Sequence, residues 1–275
     1  MIEDIPGFPP HVGAALSLRG GPLYGFNLGD HVGDDPMRVA AHREQFAAAI
    51  GARPVWLQQV HGTRVVELQG NESAGSLACD AVWTRRPAVA CTIMTADCIP
   101  VLVSHGHQAL VGAAHAGWRG LAGGVIEELL SHMTQAAQAA QAAQAAQAAQ
   151  ATQAARAASA TPKHQEHIGR RQEHFRLWLG PAIGPHHFEV GPEVLAAFAH
   201  DPSRFERGRP GHWFADLHGL AKDRIARWAD AQDGRVLIDV VGDSRCTASN
   251  AETFFSYRRE GRCGRFAAAI WCTSI

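Results

Sequence analysis

Two apolar runs separated by a short polar segment constrain the fold of this chain more than any other feature. Ile99–Ser104 and Ala109–His115 flank the segment His105-Gly106-His107-Gln108. Branched apolar residues favour strands, and a glycine supplies the positive φ that a tight hairpin turn needs. The pattern predicts an antiparallel hairpin with Gly106 and His107 at its two-residue turn.

This hairpin register places two metal-ligating side chains opposite each other. If His105 pairs with Gln108, then Cys98 pairs with His115. Opposed residues on one face have Cβ atoms ~4.5–5.5 Å apart, which suits two ligands of one ion. Pro100 is an exception to the pattern, because proline is confined to edge or bulged positions and a bulge would shift the register.

A third ligand is predicted at His61, which follows the strand candidate Pro54–Gln59 in the word Gln-Gln-Val-His-Gly. Two histidines and one cysteine leave one position of a tetrahedral ion open, as in catalytic zinc sites, where bound water ionises near neutral pH. Copper is the alternative ion, because this set with Met94 nearby is similar to a blue-copper site. The chain has 16 histidines, so spacing alone leaves ordinary core or surface histidines as an equal alternative.

Composition favours a globular protein with a small-molecule partner. Apolar residues make up 46% and the formal net charge is −1, which offers no basic surface for nucleic acid or membranes. No stretch approaches the ~20 apolar residues of a membrane span, and residues 1–10 lack a signal-peptide pattern. We expect a cytoplasmic location, reduced cysteines, and a monomer or weak homo-oligomer.

The remaining sequence alternates between strand-like and helix-like runs, which predicts an α/β or α+β fold in one domain spanning 1–275. The further strand candidates are Val89–Thr95, Leu177–Gly180, Val236–Val241 and Phe266–Cys272. The helix candidates are Ala40–Ile50, Leu121–Met133, Pro192–His200 and Leu217–Ala231. A Gln-Ala-Ala repeat within 134–174 interrupts this pattern. Its three-residue period drifts around a helix, so we interpret it as a solvated helical or disordered insertion.

Several short motifs of the sequence together resemble those of a known family. They are Gln58–Gly62, Thr95–Pro100, His115–Gly120, Leu179–Gly184, Phe188–Gly191 and Phe255–Arg259. The chain resembles the laccase-domain, or multicopper polyphenol oxidase, family, whose members are also described as purine nucleoside phosphorylases, and in one bacterial branch as a peptidoglycan editing factor. One departure is visible at His186, His187 and Phe188, where family members often carry a cysteine and a tyrosine.

The resemblance implies a single domain with mixed sheets in a four-layer α/β/β/α arrangement, and it implies His61, Cys98 and His115 as the metal ligands. It further implies zinc-dependent phosphorolysis of adenosine, inosine, guanosine and S-methyl-5'-thioadenosine, together with adenosine deaminase activity. The partners would then be a purine nucleoside and phosphate.

Other polar residues are candidates for catalysis or substrate binding. Arg119 follows His115 by four residues and has glycines around it. It is a candidate phosphate ligand at a helix N-terminus, or else the partner of a structural carboxylate. Asp80 and Glu189 are candidate general acids or bases. Asn27 would bind sugar hydroxyls or hold a turn. Ser256 and Arg258 would line the substrate pocket or brace the sheet.

Alternative functions follow from the same residues. A peptidoglycan-precursor amide hydrolase would use a metal hydroxide, or Cys98 as nucleophile with His115 as base. A copper-dependent polyphenol oxidase (laccase) would need more ligands for its trinuclear cluster, and only His105-Gly106-His107 offers a His-x-His pair. A non-catalytic binding module would use the Gln-Ala segment.

Overall fold

Two mixed β-sheets packed face to face form the centre of the fold. A computed structural model describes residues 1–21, 24–73, 75–158 and 172–273, with 152–158 described by their backbone alone. The strands are β1 (Ile2–Asp4), β2 (Val12–Ser17), β3 (Arg53–Val55), β4 (Val65–Glu67), β5 (Ala81–Thr84), β6 (Val89–Thr95), β7 (Ile99–His105), β8 (Val111–Ala116), β9 (Glu173–Leu179), β10 (Glu189–Val190), β11 (Phe205–Arg207), β12 (Trp213–Ala215), β13 (Val236–Gly242) and β14 (Phe266–Cys272). The helices are α1 (Pro36–Ile50), α2 (Trp118–Gly123), α3 (Val125–Ala158), α4 (Pro192–Ala197), α5 (Leu217–Asp230) and α6 (Tyr257–Glu260), with a 3-10 turn at Pro202–Arg204.

The strands divide into one five-stranded, one six-stranded and one three-stranded sheet. The five-stranded sheet has the order β1-β2-β14-β6-β3, and the six-stranded sheet has the order β13-β9-β7-β8-β5-β4. Each contains parallel and antiparallel pairs: β3 is parallel to β6, and β13 is parallel to β9. The small sheet, β10-β12-β11, is antiparallel. The predicted mixed α/β fold is confirmed.

Alternation along the strands separates three layers of apolar core. On β6, Cys91 and Ile93 belong to the core between the two large sheets, whereas Ala90 and Met94 belong to the core beneath α1. Outside the six-stranded sheet, residues of α3 and α5 cover a third core. A strand points successive side chains to opposite faces, and every residue of β6, β7 and β8 is buried, so the centres of the two large sheets are covered on both faces. The layers therefore run helix, sheet, sheet, helix, as expected for an α/β/β/α arrangement.

The predicted hairpin is present, but its register is shifted by two residues. His105 pairs with Leu110 through its backbone amide, and Pro100 rather than Cys98 stands opposite His115. The turn is longer than predicted because the buried His105 ring points into it. Its Nδ1 atom accepts hydrogen bonds from the amides of His107 and Gln108, each at 3.0 Å. The two-residue turn at Gly106-His107 is therefore wrong.

The Gln-Ala repeat continues helix α3 rather than starting a separate element. Thr134 and Ala137 are buried, and Gln141 donates to Glu173 Oε1 at 3.0 Å. Residues 142–151 are exposed. The first part of the segment thus packs on the core, contrary to the prediction of a wholly solvated insertion, and Glu173 already belongs to β9. Positions 159–171 of this insertion lie outside the described residues. In the described part of the chain, no helix combines the length and apolarity needed to cross a bilayer.

Candidate metal centre

Three separate segments bring His61, Cys98 and His115 together. His61 lies in the loop between β3 and β4, Cys98 ends the turn between β6 and β7, and His115 lies in β8. Their possible ligand atoms all lie within 4.8 Å of one another. The rings of His61 and His115 meet edge to face, with centroids 4.7 Å apart. His61 is exposed and His115 is buried, so the cluster opens to solvent on the His61 side.

Cys98 reaches His115 although the two are not paired across the hairpin. Cys98 directly precedes β7, at the end of a turn in which Asp97 has a left-handed backbone with φ +98°. Thr95 Oγ1 donates to the Cys98 carbonyl at 2.7 Å and closes this turn. The thiol is therefore placed by a tight turn between the two large sheets, and not by the strand register.

Asp80 organises two of the three ligands through one buried carboxylate. Its Oδ1 atom accepts from the His61 amide and from His115 Nδ1, both at 2.9 Å. Its Oδ2 atom accepts from the amides of Val60 at 3.1 Å and Gly62 at 2.7 Å. The hydrogen bonds from these backbone amides hold His61 in a left-handed backbone conformation, with φ +59°. Because Nδ1 of His115 is engaged, its Nε2 atom is left to face a metal.

Gly117 gives the ligands the space that they need. A Cβ atom at this position would lie 2.8 Å from Cys98 Sγ and 3.1 Å from the Cδ2 atom of His61. Its backbone is extended, with φ −73°, so the requirement for glycine comes from close approach rather than from an unusual dihedral angle. This close approach explains the first glycine, Gly117, of the His-Ala-Gly-Trp-Arg-Gly motif.

The charges of the cluster favour the thiolate form of Cys98 and, without a metal, the protonated form of His115. Burial opposes ionisation of the Cys98 thiol, but His115 and His61 outweigh it and lower its pKa to about 6. Burial likewise opposes protonation of His115, but the Cys98 thiolate and Asp80 raise its pKa to about 9. Burial would raise the pKa of Asp80, yet the His115 and amide hydrogen bonds keep it below its ordinary value. Asp80 is thus an acceptor at neutral pH, and a metal would replace the proton on His115.

The donor set fits a transition-metal ion. Two imidazole nitrogens and one thiolate are ligands that zinc and copper both accept, and three protein ligands leave a position for substrate. Among the described residues, this is the one group of three or more His, Cys, Asp or Glu whose ligand atoms come so close.

Arg119 projects from α2, directly after the segment that carries His115. It is exposed, and its guanidinium carbon lies 4.2 Å from the centroid of the Trp118 ring. Within the part of the chain that the structure describes, no carboxylate lies within ion-pair distance of it. Because α2 has only six residues, its dipole contributes little, and the prediction of an anion site depends on the side chain.

Asn27 and Ser256 occupy buried positions with clear structural roles. Both amide hydrogens of Asn27 are used, by Gly29 O at 2.9 Å and Asp34 Oδ2 at 3.0 Å, and its oxygen accepts from the amides of Gly29 and Arg265. Ser256 caps α6, since its hydroxyl accepts from the Arg259 amide at 3.3 Å. These contacts favour a turn and a helix cap, and the prediction of substrate binding by either residue stays a prediction.

Glu189 lies in β10 and Arg258 lies in α6, and these two segments contact each other. Glu189 forms an ion pair with Arg209 at 3.2 Å. Arg258 Nη1 donates to the carbonyls of His187 at 3.2 Å and Glu189 at 2.8 Å, which fixes this segment against α6. Asp97, which precedes Cys98 in the sequence and is expected to support the site or the fold, accepts from Thr247 Oγ1 at 2.6 Å and from the Arg258 amide at 2.7 Å. Asp97 therefore connects the Cys98 turn to the Arg258 segment.

Two cavities lie away from this cluster. One, of about 450 Å³, is lined by Glu127, Arg224 and Trp228 among others. The other, of about 470 Å³, is lined by His105, Gln141 and Gln172 among others. Neither includes a predicted metal ligand. The ligand cluster is better supported as the functional site because its residues converge with matched charge, whereas the charged groups of the first cavity are paired with one another.

Comparisons with known proteins agree with the mixed α/β fold and identify the family of this chain. The model of the multi-copper polyphenol oxidoreductase laccase family matches residues 16–155 and 149–273, and the chain belongs to this family. It is 37% identical to purine nucleoside phosphorylase PA4543 of Pseudomonas aeruginosa, over 96% of this chain and 94% of that protein. It is also 37% identical to purine nucleoside phosphorylase YfiH of Escherichia coli, over 96% and 95%. A crystal structure of Neisseria meningitidis protein NMB0706 superposes with a TM-score of 0.78 at 32% identity, covering 99% of both chains. The predicted family is confirmed, and it is a family of enzymes with small-molecule substrates.

Proposed function

We propose that this protein is a metal-dependent purine nucleoside phosphorylase that also deaminates adenosine, with adenosine, inosine, guanosine and S-methyl-5'-thioadenosine as its phosphorolysis substrates. The observation that carries the proposal is the convergence of the His61, Cys98 and His115 ligand atoms within 4.8 Å, open on one side. The names of the relatives support the reaction class.

His61, Cys98 and His115 would hold the ion, for which zinc is proposed. When bound, zinc supplies a Lewis acid and acidifies water at its open position. Asp80 holds the His115 ring and the loop that carries His61, so the ligands are positioned before the ion arrives. Val60, beside His61, is 53% exposed and offers apolar surface for a purine ring.

Phosphorolysis breaks the bond between the base and the ribose anomeric carbon and forms a bond from a phosphate oxygen to that carbon. Arg119 is proposed to bind the phosphate, because it is exposed, follows the candidate ligand His115 by four residues, and keeps its guanidinium hydrogens available while stacked on Trp118. Protonation of the leaving base is assigned to Glu189 rather than Asp80, since four donors occupy the Asp80 oxygens.

Product analysis tests the proposal. Purified protein loaded with zinc is incubated with adenosine and phosphate, and products are separated by chromatography. We expect adenine with ribose-1-phosphate, and inosine or hypoxanthine from deamination. Cys98→Ala should abolish both activities, whereas Cys263→Ala, which removes a buried thiol outside the cluster, should retain them. Unchanged adenosine from folded, zinc-loaded protein would overturn the proposal.

A second candidate is an amide hydrolase acting on a peptidoglycan precursor with Cys98 as nucleophile. Its support is the pairing of Cys98 with His115, which lowers the thiol pKa to about 6 and would provide a thiolate with the protonated His115 as a neighbouring proton donor. Inhibition by alkylation but not by chelators, with release of the amide product, would favour this reaction over the metal-dependent one.

The family's description also raises copper-dependent phenol oxidation. A multicopper oxidase needs a mononuclear and a trinuclear site, and the described residues bring together one cluster of three ligands. We therefore expect copper-loaded protein to show no oxidation of phenols above that of Cys98→Ala.

A further inference from the structure

A second cysteine–histidine pair lies outside the candidate metal centre. Cys246 Sγ lies 3.7 Å from His187 Nδ1, and the two residues come from different segments of the chain. The Gly184 amide also donates to Cys246 Sγ, at 3.1 Å. A sulfur that faces an imidazole nitrogen and accepts a backbone N–H is stabilised as a thiolate.

The backbone holds both side chains of this pair in place. The Cys246 carbonyl accepts from Asn250 Nδ2 at 2.8 Å, and residue 246 forms a bridge with Ala182. On the other side, the His187 amide donates to the Gly184 carbonyl at 3.0 Å, and Arg258 Nη1 donates to the His187 carbonyl. The contact therefore belongs to a fixed arrangement of two loops.

Accessibility separates Cys246 from the other cysteines. Cys79, Cys91, Cys263 and Cys272 are buried, and Cys98 belongs to the candidate metal centre. Cys246 is partly exposed, and His187 is exposed. Burial opposes ionisation of Cys246, but hydrogen bonds from Ser249 and neighbouring amides keep its pKa below the ordinary value. For Cys79, burial raises the pKa to about 11.

We propose that Cys246 and His187 form a reactive thiol–imidazole pair, which is a covalent modification site for soft electrophiles, hydrogen peroxide among them. His187 takes the thiol proton as the sulfur attacks one peroxide oxygen. The S–O bond forms while the O–O bond breaks, so the sulfur is oxidised to sulfenic acid. The peroxide is reduced to water, because the leaving hydroxide takes the proton from His187.

Residue-resolved alkylation tests this pair. Folded protein is treated with iodoacetamide at neutral pH, and labelling at each cysteine is followed by peptide mass spectrometry. We expect Cys246 to react at least about tenfold faster than the four buried cysteines, and peroxide followed by a sulfenic-acid trap to label Cys246. His187→Ala should slow alkylation of Cys246 about fivefold or more, because the thiolate loses its partner.

His186→Ala is the matched control, since His186 is the exposed neighbour of His187 and should leave the rate unchanged. Thermal melting verifies that both variants are folded, and His187→Gln replaces His187→Ala if the alanine variant melts early. Equal Cys246 labelling rates in the His187 and His186 variants would overturn the proposal. Labelling of Cys246 no faster than that of the buried cysteines would overturn it as well.

Discussion

His115 Nδ1 donates to Asp80 Oδ1 across 2.9 Å, and this bond determines which ring nitrogen of His115 is directed at Cys98 and His61. The same carboxylate receives three consecutive backbone amides from residues 60–62. One buried acid thus joins a strand ligand to a loop ligand. Its removal should loosen the fold and the metal site together.

Asp80→Asn tests this link. An asparagine places an NH2 group against a backbone N–H, so at least one donor loses its acceptor. We expect the free energy of unfolding to fall by about 2–4 kcal/mol in chemical denaturation. Zinc affinity, measured by chelator competition, should fall about 10–100-fold. Asp239→Asn, at an exposed pair with His174, should change neither quantity appreciably, and an equal loss in both variants would argue against the role of Asp80.

Gly117→Ala should weaken zinc binding at the candidate metal centre without a large change in the secondary structure of the strands. Its new methyl group would approach Cys98 Sγ to 2.8 Å, so the thiol must move away from the histidines. We expect zinc affinity and phosphorolysis to fall by at least about tenfold. Gly242→Ala is the control, because its Cβ atom would meet only ordinary contacts of 3.6 Å or more. Normal zinc binding by Gly117→Ala would contradict the tight approach.

Zinc affinity should rise with pH. Cys98, with a pKa of about 6, is ionised above that value, whereas His115, with a pKa of about 9, must release its proton to the solvent on binding. Between these values log K should increase by at least about one per pH unit, and more steeply below the lower value, where the Cys98 proton must also be released. Competition titrations across this window measure the slope, corrected for the competing chelator. A flat profile between the two pKa values would show that no proton leaves His115.

Arg119→Gln should separate the two proposed activities. The substitution removes the charge and the forked donors that bind phosphate, so KM for phosphate should rise about tenfold or more. Adenosine deamination needs no phosphate and should keep its rate. Arg207→Gln, at an exposed strand position, is the control. Equal losses in both activities would assign Arg119 to the nucleoside or to the fold.

Asn27→Ala tests whether the Asn27 side chain stabilises a turn or binds the sugar of the nucleoside. Four hydrogen bonds are lost in a buried site, so the free energy of unfolding should fall by about 2–4 kcal/mol, while the KM of the folded fraction stays the same. The exposed Asn71→Ala should be neutral. A raised KM for nucleosides with unchanged stability would favour the sugar-binding interpretation.

Patterns that depend on local apolar content predicted the central strands well. Val89–Thr95 and Phe266–Cys272 have the predicted bounds, because runs without charged residues identify strands buried on both faces. β2 was missed, since its Val-Gly-Ala-Ala-Leu-Ser sequence has few residues typical of strands. β4 and β10 have only three and two residues, too short for periodicity to show.

The candidate metal ligands could be selected from residue chemistry, but their relative geometry could not be predicted. The two-residue register shift came from His105, whose buried ring binds the turn amides, and nothing in the local pattern distinguishes it from an exposed histidine. The environment of Asp80 was equally hidden, because it depends on residues some twenty positions earlier in the chain and on His115. Tertiary contacts of this kind leave no periodic signal.

The position of β14 has a consequence for how the chain acquires its fold during synthesis. β14 lies between β2 and β6, pairing Ala268 with Leu16 and with Ile93. The sheet behind the metal centre therefore lacks its middle strand until residues 266–272 have left the ribosome. Such long-range pairing slows folding, so the turn that carries Cys98, which directly follows β6, should become fixed only after β14 has paired with β6.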